Sequence, residues 1–258
     1  MGYLRMNAKD WLGHLVPLMD IKDVVINYAE NNPINGNQPV GKMSYNIAHS
    51  TYYYQVDKEI PFNLVRGSGS LTFSDIPKAV AFLKKCKNDQ VTIKNSQGNR
   101  LMLQCGNKKM SIPCYDSVTA QRVISFKTLV RGMVNEGYQT FGNVALSQRG
   151  TIVMNDILDI ASLGKLVAND SDFEVKMNQK EGEFALKAFK TNSTSMFVST
   201  TVDNGEGTEG TVTSSFGPWI LPCLKLLSKD MPADVYMGNS TVLVIEQEDE
   251  LLIVIDQE

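Results

Sequence analysis

The stretch Ser74-Asp-Ile-Pro-Lys-Ala-Val-Ala-Phe-Leu-Lys-Lys-Cys-Lys87 is followed at once by Gln90-Val-Thr-Ile-Lys94. At about 100° per residue, Ile76, Ala79, Val80, Leu83 and Cys86 fall on one side of a helix. Lys78 and Lys85 point the opposite way, with Lys84 on a flank. The next five residues alternate as a half-buried strand does. One amphipathic helix feeding one β-strand is the unit from which the rest of the chain is read.

The unit recurs four times. The first copy is Ala8–Asp20, then Asp23-Val-Val-Ile-Asn-Tyr28. The third is Asn155–Val167, then Asp172-Phe-Glu-Val-Lys-Met177. The fourth is Pro218–Lys229, then Asp234-Val-Tyr-Met237. In the fourth helix Ile220, Cys223, Leu224, Leu227 and Met231 form the apolar stripe, and Lys225 and Lys229 lie opposite. Pro222 is tolerated in a first turn, where its missing N–H leaves no bond unmade. Pro17 is expected to end or kink the first helix. In the third helix Asn155, Asp159 and Ser162 face outward and only Lys165 is basic. The first offers Lys9 against Asp10 and Asp20.

Each opening strand leads into further strands. Asn99–Cys105 and Lys109–Cys114 flank a turn at Gly106-Asn-Lys. Glu183–Phe189 and Ser195–Val202 flank Lys190–Thr194, and Ser240–Glu246 and Glu250–Asp256 close the chain. Tyr45–Val56 turns near Ala48-His-Ser-Thr51. The acidic run Glu246-Gln-Glu-Asp-Glu250 between two apolar strands reads as a solvated hairpin turn. Strands outnumber helices and short turns join them, so the fold class is α+β, with antiparallel sheets and the helices on one face.

Composition narrows the function. The chain has 258 residues, 43% hydrophobic and 21% charged, enough to bury a core of one or two domains without a staple. No run of 18 apolar residues occurs, so no membrane span is expected, and Met1–Asp20 lacks the pattern of a secretory signal. The four cysteines, Cys86, Cys105, Cys114 and Cys223, form no C-x-x-C pair and read as reduced thiols of an intracellular protein. Two histidines, His14 and His49, give no zinc spacing. Phosphate-loop, dinucleotide, nucleophile-elbow and H-E-x-x-H motifs are absent. Gly67-Ser68-Gly69 leads into a strand and reads as a turn. No Ser/His/acid or carboxylate pair stands out, so no catalytic residue and no cofactor are assigned.

Net charge is −3, which argues against indiscriminate coating of nucleic acid. Two repeat-related helices present lysines without facing carboxylates, and these have two readings. They are ordinary solvated faces, or they make one locally positive surface that attracts phosphate backbone.

With this layout the chain resembles the DNA sliding clamps of the proliferating-cell-nuclear-antigen type, as a divergent archaeal or viral member. Met1–Leu12 is similar to the family's opening strand and helix. Asn46–Val56 is similar to its Asp-Ser-Ser-His segment, with His49 at the acid and Tyr52 at the histidine. Ser70–Pro113 resembles the second half of a clamp domain, and Pro218–Asp256 its closing helix and strands.

The resemblance implies two similar clamp-type domains, residues 1–117 and 149–258, joined by a connector, 118–148, that holds a helix near Ser125–Glu136. Each domain has antiparallel sheets with two helices on an inner face. It implies a homotrimeric ring around duplex DNA, sequence-independent phosphate contacts, and a role as a processivity factor tethering DNA polymerase and met by a clamp loader. Lys9, Lys78, Lys84, Lys85, Lys225 and Lys229 are the DNA-contact positions. Ala48, Tyr52, Val130, Ile253, Val254 and Ile255 are the positions of a partner-peptide pocket. The strands near Lys109–Cys114 and Ser195–Val202 are the edges expected to pair between subunits. Two other readings stay open at this stage: a clamp-like factor that closes no ring, and a β-rich viral assembly protein with no DNA role.

Overall fold

The computed structural model describes residues 2–20, 24–31, 40–87, 89–114, 117–155, 157–158, 172–178, 181–190, 195–207, 210–238 and 242–255. They divide into two units. One comprises Met1–Ala48 and Gln55–Val123, the other His49–Tyr54 and Ile124–Glu258.

The first unit opens with β1 (Tyr3–Asn7) and α1 (Ala8–Leu15). Asn7 caps α1 by accepting the Asp10 N–H at 2.8 Å. Pro17 stops the helix as expected, and Val16–Leu18 continues as one 3-10 turn. Strands β2 (Val24–Asn31), β3 (Val40–Ala48), β4 (Tyr52–Pro61), β5 (Val65–Arg66) and β6 (Gly69–Phe73) follow. The turn at residues 49–51 joins β3 to β4 where the sequence places it. Next is α2 (Ile76–Cys86), whose N-terminus Asp75 caps by accepting the Lys78 N–H. β7 (Gln90–Ser96), β8 (Arg100–Cys105) and β9 (Lys108–Pro113) complete the unit. The 19-residue α3 (Ser117–Asn135) crosses the division between units.

In the second unit β10 (Thr140–Phe141) and β11 (Val144–Ala145) form a small hairpin. Then come β12 (Gln148–Val153), β13 (Asp172–Asn178), β14 (Glu183–Phe189), β15 (Met196–Thr201), β16 (Asp203–Gly207) and β17 (Thr211–Phe216). A five-residue helix, α4 (Ile220–Leu224), precedes β18 (Pro232–Gly238), β19 (Val242–Gln247) and β20 (Glu250–Ile255). The acidic hairpin turn falls at Glu248 and Asp249, as read from the sequence. The expected third helix, 155–167, lies almost wholly outside the described residues, and Asp159, Ser162 and Lys165 with it.

Pairing explains the repeats. The repeat gives each unit two halves, and the opening strand of each half leaves its own half. In the first unit β1 pairs with β7 (Leu4 opposite Ile93) and β6 pairs with β2 (Phe73 opposite Val24). In the second, β12 pairs with β18 (Ile152 opposite Ala233) and β17 with β13 (Phe216 opposite Phe173). All these ladders are antiparallel. The exchange yields strand orders β5-β1-β7-β8-β9 and β6-β2-β3-β4 within the first unit. Within the second they are β16-β12-β18-β19-β20 and β15-β14-β13-β17. Neither half can pair its first strand alone, so the two halves of a unit fold together.

The core follows from this register. Leu4, Met6, Val91, Ile93, Leu101 and Leu103 are buried on one face of the five-stranded sheet of the first unit. Trp11 of α1 is fully buried and its indole N–H donates to the Val91 carbonyl at 3.1 Å, pinning the helix to β7. Helices α1 and α2 pack against each other. In the second unit Gly238 of β18 lies against the Ala145 carbonyl, where a Cβ would collide, so β11 rests directly on the sheet backbone.

His14 sits against Tyr45, ring centroids 5.6 Å apart. Burial first, and then the Lys58 charge, push its pKa below the usual 6.5. The unfolded chain therefore binds the proton more readily than the folded one, and stability rises with pH through this window. The melting temperature is expected to fall as pH drops from 7 to 5, and His14→Asn to flatten that fall. A melting profile of His14→Asn as steep as the wild type over this window would show that His14 does not contribute.

Candidate functional site

The cationic surface of the first unit is built by its helix caps. Asp75 and Asn7 fix where α2 and α1 begin, and the apolar stripe of each helix turns inward. Lys9, Lys78, Lys84 and Lys85 are left exposed. The Lys85 carbonyl at the end of α2 accepts the Lys108 ammonium at 3.1 Å, which adds a further positive charge there. One reading from the sequence needs correction. Lys78 does face a carboxylate: its ammonium is 2.6 Å from the capping Asp75, whose carboxyl pKa these bonds lower. A cap aspartate reaches the first turn, where Lys78 sits three residues on. Lys84 and Lys85, in the last turn, lie beyond it.

The fourth helix also differs from expectation. It ends at Leu224, so Lys225 is its C-cap and Lys229 lies past the end, both exposed. They do not share a helix face. The cause is Gln247 of β19, whose side chain is almost fully buried. Its amide oxygen accepts the Ser228 N–H at 2.8 Å, and its nitrogen donates to the Ser228 and Met231 carbonyls. Those backbone groups are thereby withdrawn from a continuing helix. Leu227 still reaches the core through the turn that its N–H makes with the Leu224 carbonyl.

The positions expected to form a partner pocket are mostly covered. Ala48, Val130, Ile253 and Val254 are buried, whereas Tyr52 and Ile255 are half-exposed. Within the second unit α3 and the segment leading to the β10–β11 hairpin pack on strands of the same sheet. Phe126 of α3 stacks on Tyr53 at 5.1 Å and packs against Phe141 at 6.4 Å. Tyr138 stacks on Tyr236 at 4.6 Å and donates its hydroxyl to Glu246 at 2.5 Å. Burial and the Glu246 carboxylate raise the Tyr138 pKa, so the donor stays protonated.

What remains accessible is a ladder of three rings. His49 stacks on Tyr52 (5.3 Å) and Tyr52 on Trp219 (6.0 Å), with Phe216 edge-on behind Trp219. The Ile255 N–H donates to the Thr51 carbonyl at 2.7 Å and ties the C-terminal strand beside this ladder. Sequence reasoning found Tyr52 but missed Trp219, which there reads only as a helix start after Pro218.

An open depression of about 450 Å³ in the second unit is lined by Thr151, Asp234, Glu246 and Glu248, with Met231 and Pro232. Thr151 is spent on Asp234 at 2.7 Å. Among the described residues no three His, Cys, Asp or Glu side chains gather as a metal site, and no helix is long and apolar enough to cross a membrane. Cys86, Cys105 and Cys223 are buried free thiols, and burial lifts Cys223 to about 12.

No protein-family model and no curated protein sequence matches the chain. Solved structures do match, sliding clamps among them. The Helicobacter pylori beta clamp, in complex with 5-chloroisatin, superposes with a TM-score of 0.65 at 12% identity, over 99% of this chain and 64% of that one. The chain thus spans about two thirds of the length of the bacterial clamps it matches. The PCNA of Thermococcus kodakaraensis superposes with a TM-score of 0.57 at 12% identity, over 100% of both chains. So does the A. fulgidus PCNA bound to the C-terminal region of FEN-1, at 0.57 and 11%. A further H. pylori beta clamp structure holds a DNA ligase peptide. The fold is that of the DNA sliding clamps, at an identity that marks a divergent example of it.

Proposed function

We propose that this protein is a DNA sliding clamp, a processivity factor without catalysis of its own. The observation that carries the reading is the strand exchange made twice over, in two units of the same plan, in a chain that superposes end to end on two-unit clamps. The proposed domains are residues 1–117 and 149–258, with 118–148 as the connector that holds most of α3 and the small hairpin. Duplex DNA passes the helices and meets Lys9, Lys84, Lys85, Lys225 and Lys229, with Lys78 as a weaker contact because Asp75 already neutralises it. Contacts of this kind are to phosphate and carry no sequence preference, which suits sliding.

The assembly proposed is a homotrimer joined edge to edge. Strands β9 and β15 each end their sheet, and among the described residues no strand pairs with their outer rows. Polymerase and other replication proteins would dock at the Tyr52–Trp219 ladder and Ile255, the exposed part of the expected pocket. Bound DNA ligase and FEN-1 segments in the solved clamps support a peptide-docking role. A loader would open the ring.

Mass in solution and retention on DNA test the reading together. Three copies of 28.6 kDa give about 86 kDa. The trimer is expected to stay on a closed circular duplex and to run off the same DNA once linearised. A monomer at micromolar concentration, or equal loss from circle and line, would overturn it. Lys84→Glu with Lys85→Glu is expected to weaken duplex binding about tenfold or more and to lower the salt slope by about 2, equally across sequences. An unchanged slope would place the duplex elsewhere.

A further inference from the structure

We infer that the solvent face of the five-stranded sheet in the first unit binds single-stranded nucleic acid. This surface is separate from the helices assigned to duplex DNA, and the inference does not depend on ring closure.

The strands of this sheet are Tyr-Leu-Arg-Met-Asn, Val-Arg, Gln-Val-Thr-Ile-Lys-Asn-Ser, Arg-Leu-Met-Leu-Gln-Cys and Lys-Lys-Met-Ser-Ile-Pro. They contain Arg5, Arg66, Lys94, Arg100, Lys108 and Lys109 and no Asp or Glu, in a chain whose net charge is −3. Alternation decides which residues share a face. Leu4, Met6, Val91, Ile93, Leu101 and Leu103 are buried, so Arg5, Lys94 and Arg100 stand on the opposite side with Arg66 and Lys109. Arg5, Arg66, Arg100 and Lys109 are exposed and Lys94 is half-exposed. From β5 to β9 the five charges span four strand spacings, about 19 Å.

An ordinary solvated sheet face pairs its charges, and the second unit shows how. There Lys187 lies opposite Glu174, 3.9 Å away, and Lys176 meets Glu183 at 3.1 Å. On the first unit's face Arg5 turns to the Thr92 hydroxyl and Arg100 to the Ser111 hydroxyl and carbonyl. Only Arg66, at the rim, approaches a carboxylate, Glu30 at 3.9 Å. Among the described residues Arg5, Lys94, Arg100 and Lys109 have no carboxylate partner. Like charges held together on one sheet repel, and a polyanion laid across them removes that cost.

The face also carries groups that a polyanionic peptide does not need. The Tyr3 ring lies under the Arg5 guanidinium, 5.4 Å from its centroid, and is half-exposed. The same face carries uncharged donors and acceptors, Thr92 on β7, Gln104 on β8 and Ser111 on β9. A flat pleated surface with one aromatic platform between cations fits a strand whose bases are free to turn inward. A duplex keeps its bases stacked inside and offers Tyr3 nothing.

The test uses the full-length protein and a fluorescein-labelled 20-mer oligothymidylate, read by anisotropy at stepped salt. The wild type is expected to bind. Arg5→Glu with Lys94→Glu is expected to weaken binding tenfold or more and to reduce the salt slope by about 1.4. Arg5→Gln with Lys94→Gln should lie between, and guards against misfolding of the doubly reversed variant. Tyr3→Ala should weaken binding about fivefold or more with the slope unchanged, because stacking releases no counterions. The Arg5/Lys94 variants should keep wild-type mass and circular-duplex retention, which separates this site from the clamp reading. No binding of the oligothymidylate by the wild type overturns the inference, as does full binding by the charge-reversed variant. It falls equally if Tyr3→Ala has no effect, or if an oligoglutamate of equal charge, or the matching duplex, competes as well as the single strand.

Discussion

Replacing Trp11 by alanine is expected to destabilise the first unit by about 3–5 kcal/mol, the range for deleting a large buried aromatic. The residue is wholly buried on the inner side of α1. Its removal leaves a cavity between α1 and the sheet, where the helix backbone cannot follow because Asn7 and Pro17 fix both its ends. It also removes the donor to the Val91 carbonyl. That carbonyl belongs to the strand through which β1 and the second half of the unit are joined, so the damage falls on the exchange itself. In a chain of this size the first unit's melting temperature should drop by roughly 10 °C. Trp11→Phe fills much of the space without the N–H and should cost less. A shift of under about 2 °C for Trp11→Ala would mean that α1 is not a structural member of the fold.

The elements were legible where local chemistry writes them. Pro17 ended the first helix, the apolar spacing of Ile76, Ala79, Val80, Leu83 and Cys86 marked the second, and the alternation of Val91, Ile93, Leu101 and Leu103 gave both the strands and their buried face. The exchange of opening strands was not legible. Repetition records the order of elements, whereas pairing of β1 with β7 joins residues more than 80 positions apart. The fourth helix failed for a related reason. Ile220, Cys223, Leu224 and Leu227 of its stripe are buried as read, whereas Met231 is half-exposed, and the residue that ends the helix, Gln247, comes 19 positions after Ser228 and has no local signature. In the connector, α3 begins at Ser117 rather than near Ser125, and Ile124, Leu129 and Val134 on its outer sides blur the helical period.

The candidate surfaces divide in the same way. Lysines on a helix declare their face through spacing alone, so Lys84 and Lys85 could be placed. Lys78 needed the side-chain geometry of its cap. The cations on the first sheet are spread over five strands, one or two per strand. Only the register brings them to one side, and so no motif announces them. The pocket residues illustrate the reverse error. Ile253 and Val254 read equally as a core strand and as pocket positions, and both are buried in β20. Their sequence could not show that Phe126 and Tyr138 lie over that sheet.

Proline placed in β15 is expected to separate assembly from folding, with the largest effect on the ring. Successive residues of an antiparallel edge strand turn their N–H groups alternately to the neighbour inside the sheet and away from it. Val198 and Ser199 are adjacent in β15, opposite Leu186 and Ala185 of β14. One of Val198→Pro and Ser199→Pro therefore breaks the internal ladder and weakens the second unit by about 1–3 kcal/mol. The other leaves the unit intact and strips a donor from the free edge. In that second variant each joint with a neighbouring β9 should weaken about tenfold, also from the loss of one ladder bond. The proposed closed trimer has three such joints, so ring closure should fall by about a thousandfold. The variant should elute as a folded monomer with the wild-type melting temperature and should leave circular DNA as readily as linear. Phe197, 72% exposed on the same strand, gives an independent check. Phe197→Asp should also lower the mass if β15 is the joint, because the ring is then covered in the assembly. Wild-type mass in all three variants would place the joint on another edge, and the unpaired row on β15 would then need a different occupant.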